Sequence, residues 1–213
     1  MLALLNWFVV GFVALGALLG LGVPYALHLD SLKMDKPVVV FRNRPWRNLL
    51  GLLLAGMLLG MGIVLVITAV RKIDELYLVL FSLIVATALL VLGATGFWLH
   101  VTYWRHDRRA VLTIDRTSQL ATYTNAGTTQ QFVLADVASI TQYDSYRPSG
   151  HRMTWDGYNY QIWELHDGTW LVLTCLLYSF SGPEDLLPPV RCRTVRPRIC
   201  WLPGDPLLNF TFC

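Results

Sequence analysis

A chain of 213 residues that is 54% hydrophobic and only 15% charged, with a mean hydropathy of +0.47, is too apolar for one soluble domain. Its formal net charge of +3 is mild and argues against a nucleic-acid partner for the chain as a whole. The four cysteines, Cys175, Cys192, Cys200 and Cys213, all lie late and form no C-x-x-C pair, so the zinc-ribbon and thioredoxin signatures are absent. They read as free reduced thiols of a cytoplasmic domain, with Cys175 buried in an apolar β run.

Three apolar runs, Leu2–Leu27, Leu49–Val70 and Leu76–Val101, contain no Asp, Glu, Lys or Arg. A helix needs about 20 apolar residues to cross a bilayer core. The runs therefore predict three transmembrane helices within residues 1–104. The first run begins without a basic residue and exceeds a signal-peptide core, so it is expected to be a retained helix. Lys33, Lys36, Arg42, Arg44 and Arg47 follow the first run, and Arg105, Arg108 and Arg109 follow the third. Arg71 and Lys72, offset by Asp74 and Glu75, lie between the second and third. The positive-inside rule then places the N-terminus and the 71–75 turn outside and the C-terminal domain in the cytoplasm, the membrane being the inner one. Trp7, Tyr25, Trp46, Tyr77, Trp98, Tyr103 and Trp104 near the helix ends suit an aromatic belt. His100, close to the end of the third run, is either at the depth where that helix leaves the hydrocarbon or part of a proton relay, for which no run supplies a carboxylate. Gly16 and Gly20, and Gly56 and Gly60, have G-x-x-x-G spacing, which permits close backbone approach. Packing between the chain's own helices and homo-oligomerisation both use such spacing. The β-prone stretch 37–41 either lies on the membrane surface or adds a strand to the later domain.

From Ala110 the pattern has period two. Strands are predicted at Ala110–Asp115, Leu120–Thr124, Thr128–Leu134, Val137–Tyr143, Tyr158–His166 and Thr169–Leu177. Asn125-Ala126-Gly127 is a turn, and Asp167-Gly168 predicts a two-residue type I′ hairpin with positive φ. Residues 105–182 thus form a small antiparallel β meander or partly open barrel. The long loop 144–157 has aromatic and basic side chains in and beside it. Tyr143, Tyr146, Arg147, His151, Arg152 and Trp155 form the candidate binding element. The tail, 183–213, carries Arg191, Arg193, Arg196 and Arg198 among prolines and is expected to be irregular. With Arg105, Arg108 and Arg109, these arginines are candidates for the membrane surface.

The metal, nucleotide and nucleophile motifs H-E-x-x-H, the P-loop, G-x-G-x-x-G and G-x-S-x-G are all absent. The five histidines are scattered without metal-ligand spacing. Asp156 and Glu164 make a conceivable acid pair, but Glu164 alternates with Trp163 and Leu165 as on a solvated strand face. No catalytic residue, metal or cofactor is expected.

Apolar helices followed by Ala110-Val-Leu-Thr-Ile-Asp115 and by Thr129-Gln-Gln-Phe-Val-Leu-Ala-Asp-Val-Ala-Ser-Ile140 resemble bacterial membrane-anchored PH-like domain proteins. The resemblance spans about 110–179. It implies a membrane α + β chain: three transmembrane helices, then a seven-stranded bent sheet closed by a C-terminal helix, with an anionic lipid headgroup or a membrane protein as partner. Pro183, Pro188, Pro189 and Pro197 oppose a long closing helix and leave room for a short one at Glu184–Leu187. In order of parts the chain is also similar to bacterial antiphage receptors that join transmembrane helices to a small barrel sensing cyclic nucleotides. These act by helix oligomerisation, but no nucleotide-contacting motif maps onto this sequence.

Overall fold

The computed structural model describes residues 36–71, 76–146, 155–178 and 190–203. The expected first helix, with Gly16 and Gly20, lies outside the described residues, as do residues 72–75, the middle of the aromatic loop and Glu184–Leu187. Among the described residues, two of the three expected long helices are present, α1 (Leu49–Arg71) and α2 (Leu76–Asp107). Both are long and apolar enough to cross a bilayer.

The helices do not simply precede the β domain. Strand β1 (Val38–Arg42) comes before them and β2 (Val111–Asp115) after them, and the two pair antiparallel from Val38↔Asp115 to Arg42↔Val111. The helical hairpin is an excursion between two adjacent strands. The stretch 37–41 is thus resolved as part of a strand, with Val39 and Phe41 buried and Val38 and Val40 exposed. Strands β3 (Leu120–Asn125) and β4 (Thr128–Val133) complete the first sheet in the order β1-β2-β3-β4. A 3-10 turn at Leu134–Asp136 leads into the second sheet. Its strands are β5 (Val137–Tyr143), β6 (Tyr160–Leu165), β7 (Trp170–Thr174) and β8 (Arg191–Val195), in the order β7-β6-β5-β8. Strand β8 corrects the expectation of an irregular tail. It pairs parallel to β5, held by main-chain bonds although nearly all its side chains are exposed.

The inner faces of the two sheets enclose one core, which includes Phe41, Leu112, Ile114, Phe132, Trp163 and Leu173. Tyr178 packs edge-on against Phe41 and Trp163. The buried indole of Trp163 donates to Gln161 Oε1 at 2.9 Å, which satisfies its only polar atom. The second sheet is covered on its outer face too. Tyr158, Tyr160, Val172 and Leu176 pack there against Leu99 and Tyr103 of α2 and against Cys200 and Leu202. Coverage on both faces explains why β7 reads as consecutive buried residues rather than an alternation.

Helix α2 is nine residues longer than α1, and their contacts set where the excess lies. Gly93 of α2 approaches Ala55 and Leu59, and Gly62 of α1 approaches Leu90 and Ala86. In this antiparallel register α2 continues past the start of α1 by roughly 9 Å, about six residues at 1.5 Å per residue. The overhang enters the β domain. His100 Nδ1 lies 2.9 Å from the Tyr158 hydroxyl, and Tyr103 donates to the Cys200 carbonyl at 2.6 Å. Thr174 donates to the buried carboxylate of Asp107. His100 is therefore part of the helix–domain junction. Asn48, just before α1, donates to the Gly157 carbonyl at 2.9 Å and fixes the other helix from the same side.

Gly56 and Gly60 do not make the α1–α2 contact, because a Cβ on either meets nothing within 4 Å. Gly93 does, since a Cβ there would lie 2.7 Å from the Ala55 carbonyl oxygen. Gly93→Ala should therefore lower the melting temperature of the detergent-solubilised chain, while Gly56→Ala leaves it within error or raises it. Equal effects of the two would contradict this helix pairing.

The turns divide the positive-φ positions differently from the sequence expectation. Ala126 (φ 49°) and Gly127 (φ 91°) form the two-residue type I′ turn between paired Asn125 and Thr128. At the other hairpin only Gly168 (φ 82°) is left-handed, and Gly168 N donates to Leu165 O. That is a three-residue loop, 166–168, ending in a glycine bulge rather than a type I′ turn. Ala126 carries a Cβ in a region that costs an ordinary residue about 1 kcal/mol. Ala126→Gly should stabilise the chain by up to about that amount, and Gly168→Val should destabilise it by about 1 kcal/mol or more. Denaturant titration of the two variants reads both signs.

Candidate functional site

Strand register defines two ends of the β domain. The row Arg42–Val111–Thr124–Thr129 and the row Tyr143–Tyr160–Thr174–Val195 lie at the helix end, next to Asp107. The rows Val38–Asp115–Leu120–Val133 and Ser139–Glu164–Trp170–Arg191 are four residues further along, roughly 13 Å away at 3.3 Å per residue.

Exposed carboxylates are confined to one of these ends, while basic groups stand at both, with Lys36, Arg116 and Arg191 at the far one. Arg105, Arg108 and Arg109 are exposed where α2 enters the domain, and Arg42 joins them through its pairing with Val111. Arg196 and Arg198, also exposed, follow the helix-end residue Val195. None of these six arginines forms an ion pair with a described carboxylate. The carboxylates at this end are buried or half-buried: Asp107, Asp144 and Asp156. Every exposed carboxylate among the described residues, Asp136, Glu164 and Asp167, lies at the far end with half-exposed Asp115. Two of these are held below the usual carboxylate range, Asp115 by the Ser118 hydroxyl and the Thr117 N–H, and Asp167 by the Thr169 hydroxyl and N–H. They remain ionised at any physiological pH.

The arginines grouped in sequence are separated by this register. Arg191 is exposed at the far row and Arg193 midway between the rows, whereas Arg196 and Arg198 lie at the helix end. The outward half of α2 at the same level carries exposed Phe97, Trp98 and Trp104. Leu99, His100, Tyr103 and Asp107 occupy its domain-facing half.

The aromatic loop is brought together only in part. Tyr143 stacks on Tyr160 with centroids 4.5 Å apart and serves packing. Trp155 is partly buried against the outer-face cluster, and its carbonyl accepts from Tyr158 N. Tyr146 is exposed, its N–H bonded to the Pro197 carbonyl at 2.7 Å. Arg147, His151 and Arg152 lie outside the described residues. Sequence reasoning left Arg42 out of the site, because its neighbours are spatial rather than sequential. Its one local signal was a basic residue closing a β-prone run.

His106, Asp107 and Thr174 combine residue types used in nucleophilic catalysis, but their order is wrong for it. The hydroxyl donates to the carboxylate, which also lies 2.8 Å from His106 Nδ1, so no base faces the hydroxyl. Asp107 and Thr174 have no solvent exposure, and the group serves the helix–domain junction. Among the described residues no three His, Cys, Asp or Glu side chains are placed to hold a metal.

The cysteines differ sharply in exposure. Burial, helped by Asp144, pushes the Cys200 thiol up to about 12, while Cys192 is exposed on β8. Burial thus keeps the Cys200 thiol protonated at pH 8, so the nucleophilic form is scarce as well as inaccessible. Iodoacetamide at pH 8 should modify Cys192 within minutes and spare Cys200 until the chain is denatured, as followed by peptide mass spectrometry. Matching rates at the two positions would refute the packing of Cys200.

A family model described as PH domain matches residues 40–185. The match begins inside β1, runs through both helices and β2 to β7, and stops before β8. No curated protein and no solved structure matches the chain. Seven strands in antiparallel sheets of four and three, with a helical hairpin set between the first two strands, account for that span, and the chain belongs to the PH domain family.

Proposed function

We propose that this is a non-catalytic membrane protein whose helical hairpin spans the bilayer and whose PH domain rests its basic end on an anionic leaflet. The observation that carries the reading is the placement of charge: the exposed arginines near the helix exit face no exposed carboxylate among the described residues at that end. Each basic residue near an anionic surface contributes around 1 kcal/mol. Arg191, at the far row, stands about a Debye length or more away at 0.1 M salt and contributes little. Exposed Trp98 and Trp104 beside Arg105 and Arg108 suit the headgroup level, where indole rings and guanidinium groups with apolar stems both partition. A hairpin whose two ends meet at Arg42↔Val111 returns the chain to one side of the membrane. The positive-inside rule assigns that side to the cytoplasm.

The test uses the full chain in detergent micelles doped with equal phosphatidylglycerol and phosphatidylcholine. Native mass spectrometry should find phosphatidylglycerol retained preferentially. The triple variant R105Q/R108Q/R109Q should reduce that preference severalfold, and R191Q should leave it unchanged. Identical preference in wild type and both variants would sink the anionic-lipid reading.

A further inference from the structure

Two glycines of α1 have no use in the α1–α2 contact. Gly62 and Gly93 stand where the helices come closest, each with a neighbouring atom 2.7 Å from where a Cβ would sit, whereas a Cβ on Gly56 or Gly60 meets nothing within 4 Å. Glycine weakens a helix and gives lipid tails little to pack against, so its use inside a span is to let another backbone approach. Gly56, Gly60, Ile63 and Ile67 follow one another at steps of four, three and four residues and therefore share one stripe of α1. The isoleucines are 52% and 48% exposed. The stripe lies one residue on from Ala55, Leu59 and Gly62, which meet α2, and so about 100° round the helix from that contact. The first apolar run, residues 2–27, carries the same series in reverse: Val9, Val13, Gly16 and Gly20 are spaced four, three and four residues apart. Both series join two glycines to two β-branched residues, whose rotamers are already restricted in a helix and lose little freedom on packing. By the positive-inside rule the run reaches the cytoplasmic side at Leu27, and α1 leaves that side at Leu49. Gly20 is seven residues from Leu27 and Gly56 seven from Leu49, while Gly16 and Gly60 are eleven from the same two residues. Side by side and antiparallel, the two segments set Gly20 against Gly56 and Gly16 against Gly60, at depths of about 11 and 17 Å at 1.5 Å per residue. Val13 then faces Ile63, and Val9 faces Ile67.

We propose that this stripe of α1 is the docking face for the chain's own first apolar run, seated antiparallel through Gly20–Gly56 and Gly16–Gly60. The inference rests on the reading that the hairpin spans the bilayer, and adds to it the place of a third span. A second copy of the chain offers the same stripe, but the first run is held beside α1 by the polypeptide itself. Residues 28–37 join it to Val38 and extend to at most about 35 Å. Val38 lies in the far row, so roughly 13 Å of that reach is used along the domain. What remains keeps the run next to the hairpin, at an effective concentration on the order of millimolar that a separate copy does not match. The glycine spacing that serves homo-oligomerisation elsewhere is then used within one chain. In lipid the driving force is packing rather than the hydrophobic effect, and matched grooves and ridges at equal depth supply it.

The test reads disulfide formation with copper phenanthroline in membranes from expressing cells, using the full chain with Cys192→Ser and Cys213→Ser and locating each product by peptide mass spectrometry. New cysteines replace the β-branched residues and leave the glycines in place. Val13→Cys/Ile63→Cys and Val9→Cys/Ile67→Cys should each crosslink within one chain. Phe12→Cys/Val64→Cys, turned one residue round both helices, should crosslink at least about tenfold less, because a disulfide tolerates little separation. Gly60→Ile, which fills the approach, should reduce the Val13→Cys/Ile63→Cys product severalfold, whereas Gly60→Ala is small enough to leave it. Gly62→Cys/Leu90→Cys spans the α1–α2 contact and reports the hairpin by itself. If that pair crosslinks and neither of the first two does, the docking is overturned while the membrane reading stands. Products that join two chains only, formed by Ile63→Cys alone, would overturn it in favour of a second copy. Loss of the Gly62→Cys/Leu90→Cys product as well would sink the hairpin pairing, and this inference with it.

Discussion

Everything at the helix–domain boundary depends on the last turns of α2 lying inside the protein rather than beside it. Leu99, Tyr103 and Asp107 are fully buried, and each polar group among them finds a partner on the β domain. Burial of a large apolar side chain contributes about 2 kcal/mol, and a hydrogen bond about 1. Those increments are comparable to the whole stability of a small domain. The helix therefore cannot swing relative to the sheets without giving up much of what holds them. Asn48, on the other helix, removes the remaining freedom by tying the start of α1 to Gly157.

A fixed junction gives the surface charges meaning. On a tethered but tumbling domain, segregated charge would orient the domain only weakly. Here the orientation is already set by α2, and the basic end faces the direction from which the helices come. The short 3-10 turn Pro45–Asn48 on one side and the direct run from Asp107 to Ala110 on the other leave no linker to extend. Helices and domain are thus held at one separation, with exposed indoles and guanidinium groups sharing the boundary between them.

How much of this was legible in the sequence varies with the kind of force involved. Strands β2 to β6 appear within a residue or two of their expected spans, with inward residues such as Leu112, Ile114 and Phe132 alternating with solvated ones in the first sheet, whereas β7, covered on both faces, ends three residues before the expected Leu177. Helices α1 and α2 are equally plain, as uninterrupted apolar runs. Strand β8 is invisible to such reasoning. Its side chains are exposed on both faces, so it has no alternation, and only the bonds to β5 make it a strand. The position of the hairpin inside the domain was hidden for a different reason. Pairing of Val40 with Thr113 joins segments far apart in the chain, and local periodicity carries no information about partners. The arginines were visible one by one, but which share an end follows from register alone. That is why Arg42 was missed and why Arg191 and Arg196, five residues apart, proved to lie at different levels.

The setting of the helices between β1 and β2 also orders events in time. Strand β1 is synthesised first, and its partner follows only after residues 43–110, a delay on the order of seconds at ordinary translation rates. Until then Val39 and Phe41, which belong to the core, have nothing to pack against. Closing a loop of this length is slow unless something brings its ends together. The antiparallel hairpin does so, since its pairing through Gly93 and Ala55 delivers Ala110 to the neighbourhood of Asn43. The four-stranded sheet is therefore assembled on a template made by the helices, and a chain whose hairpin is mispaired lacks an edge strand for as long as the fault persists.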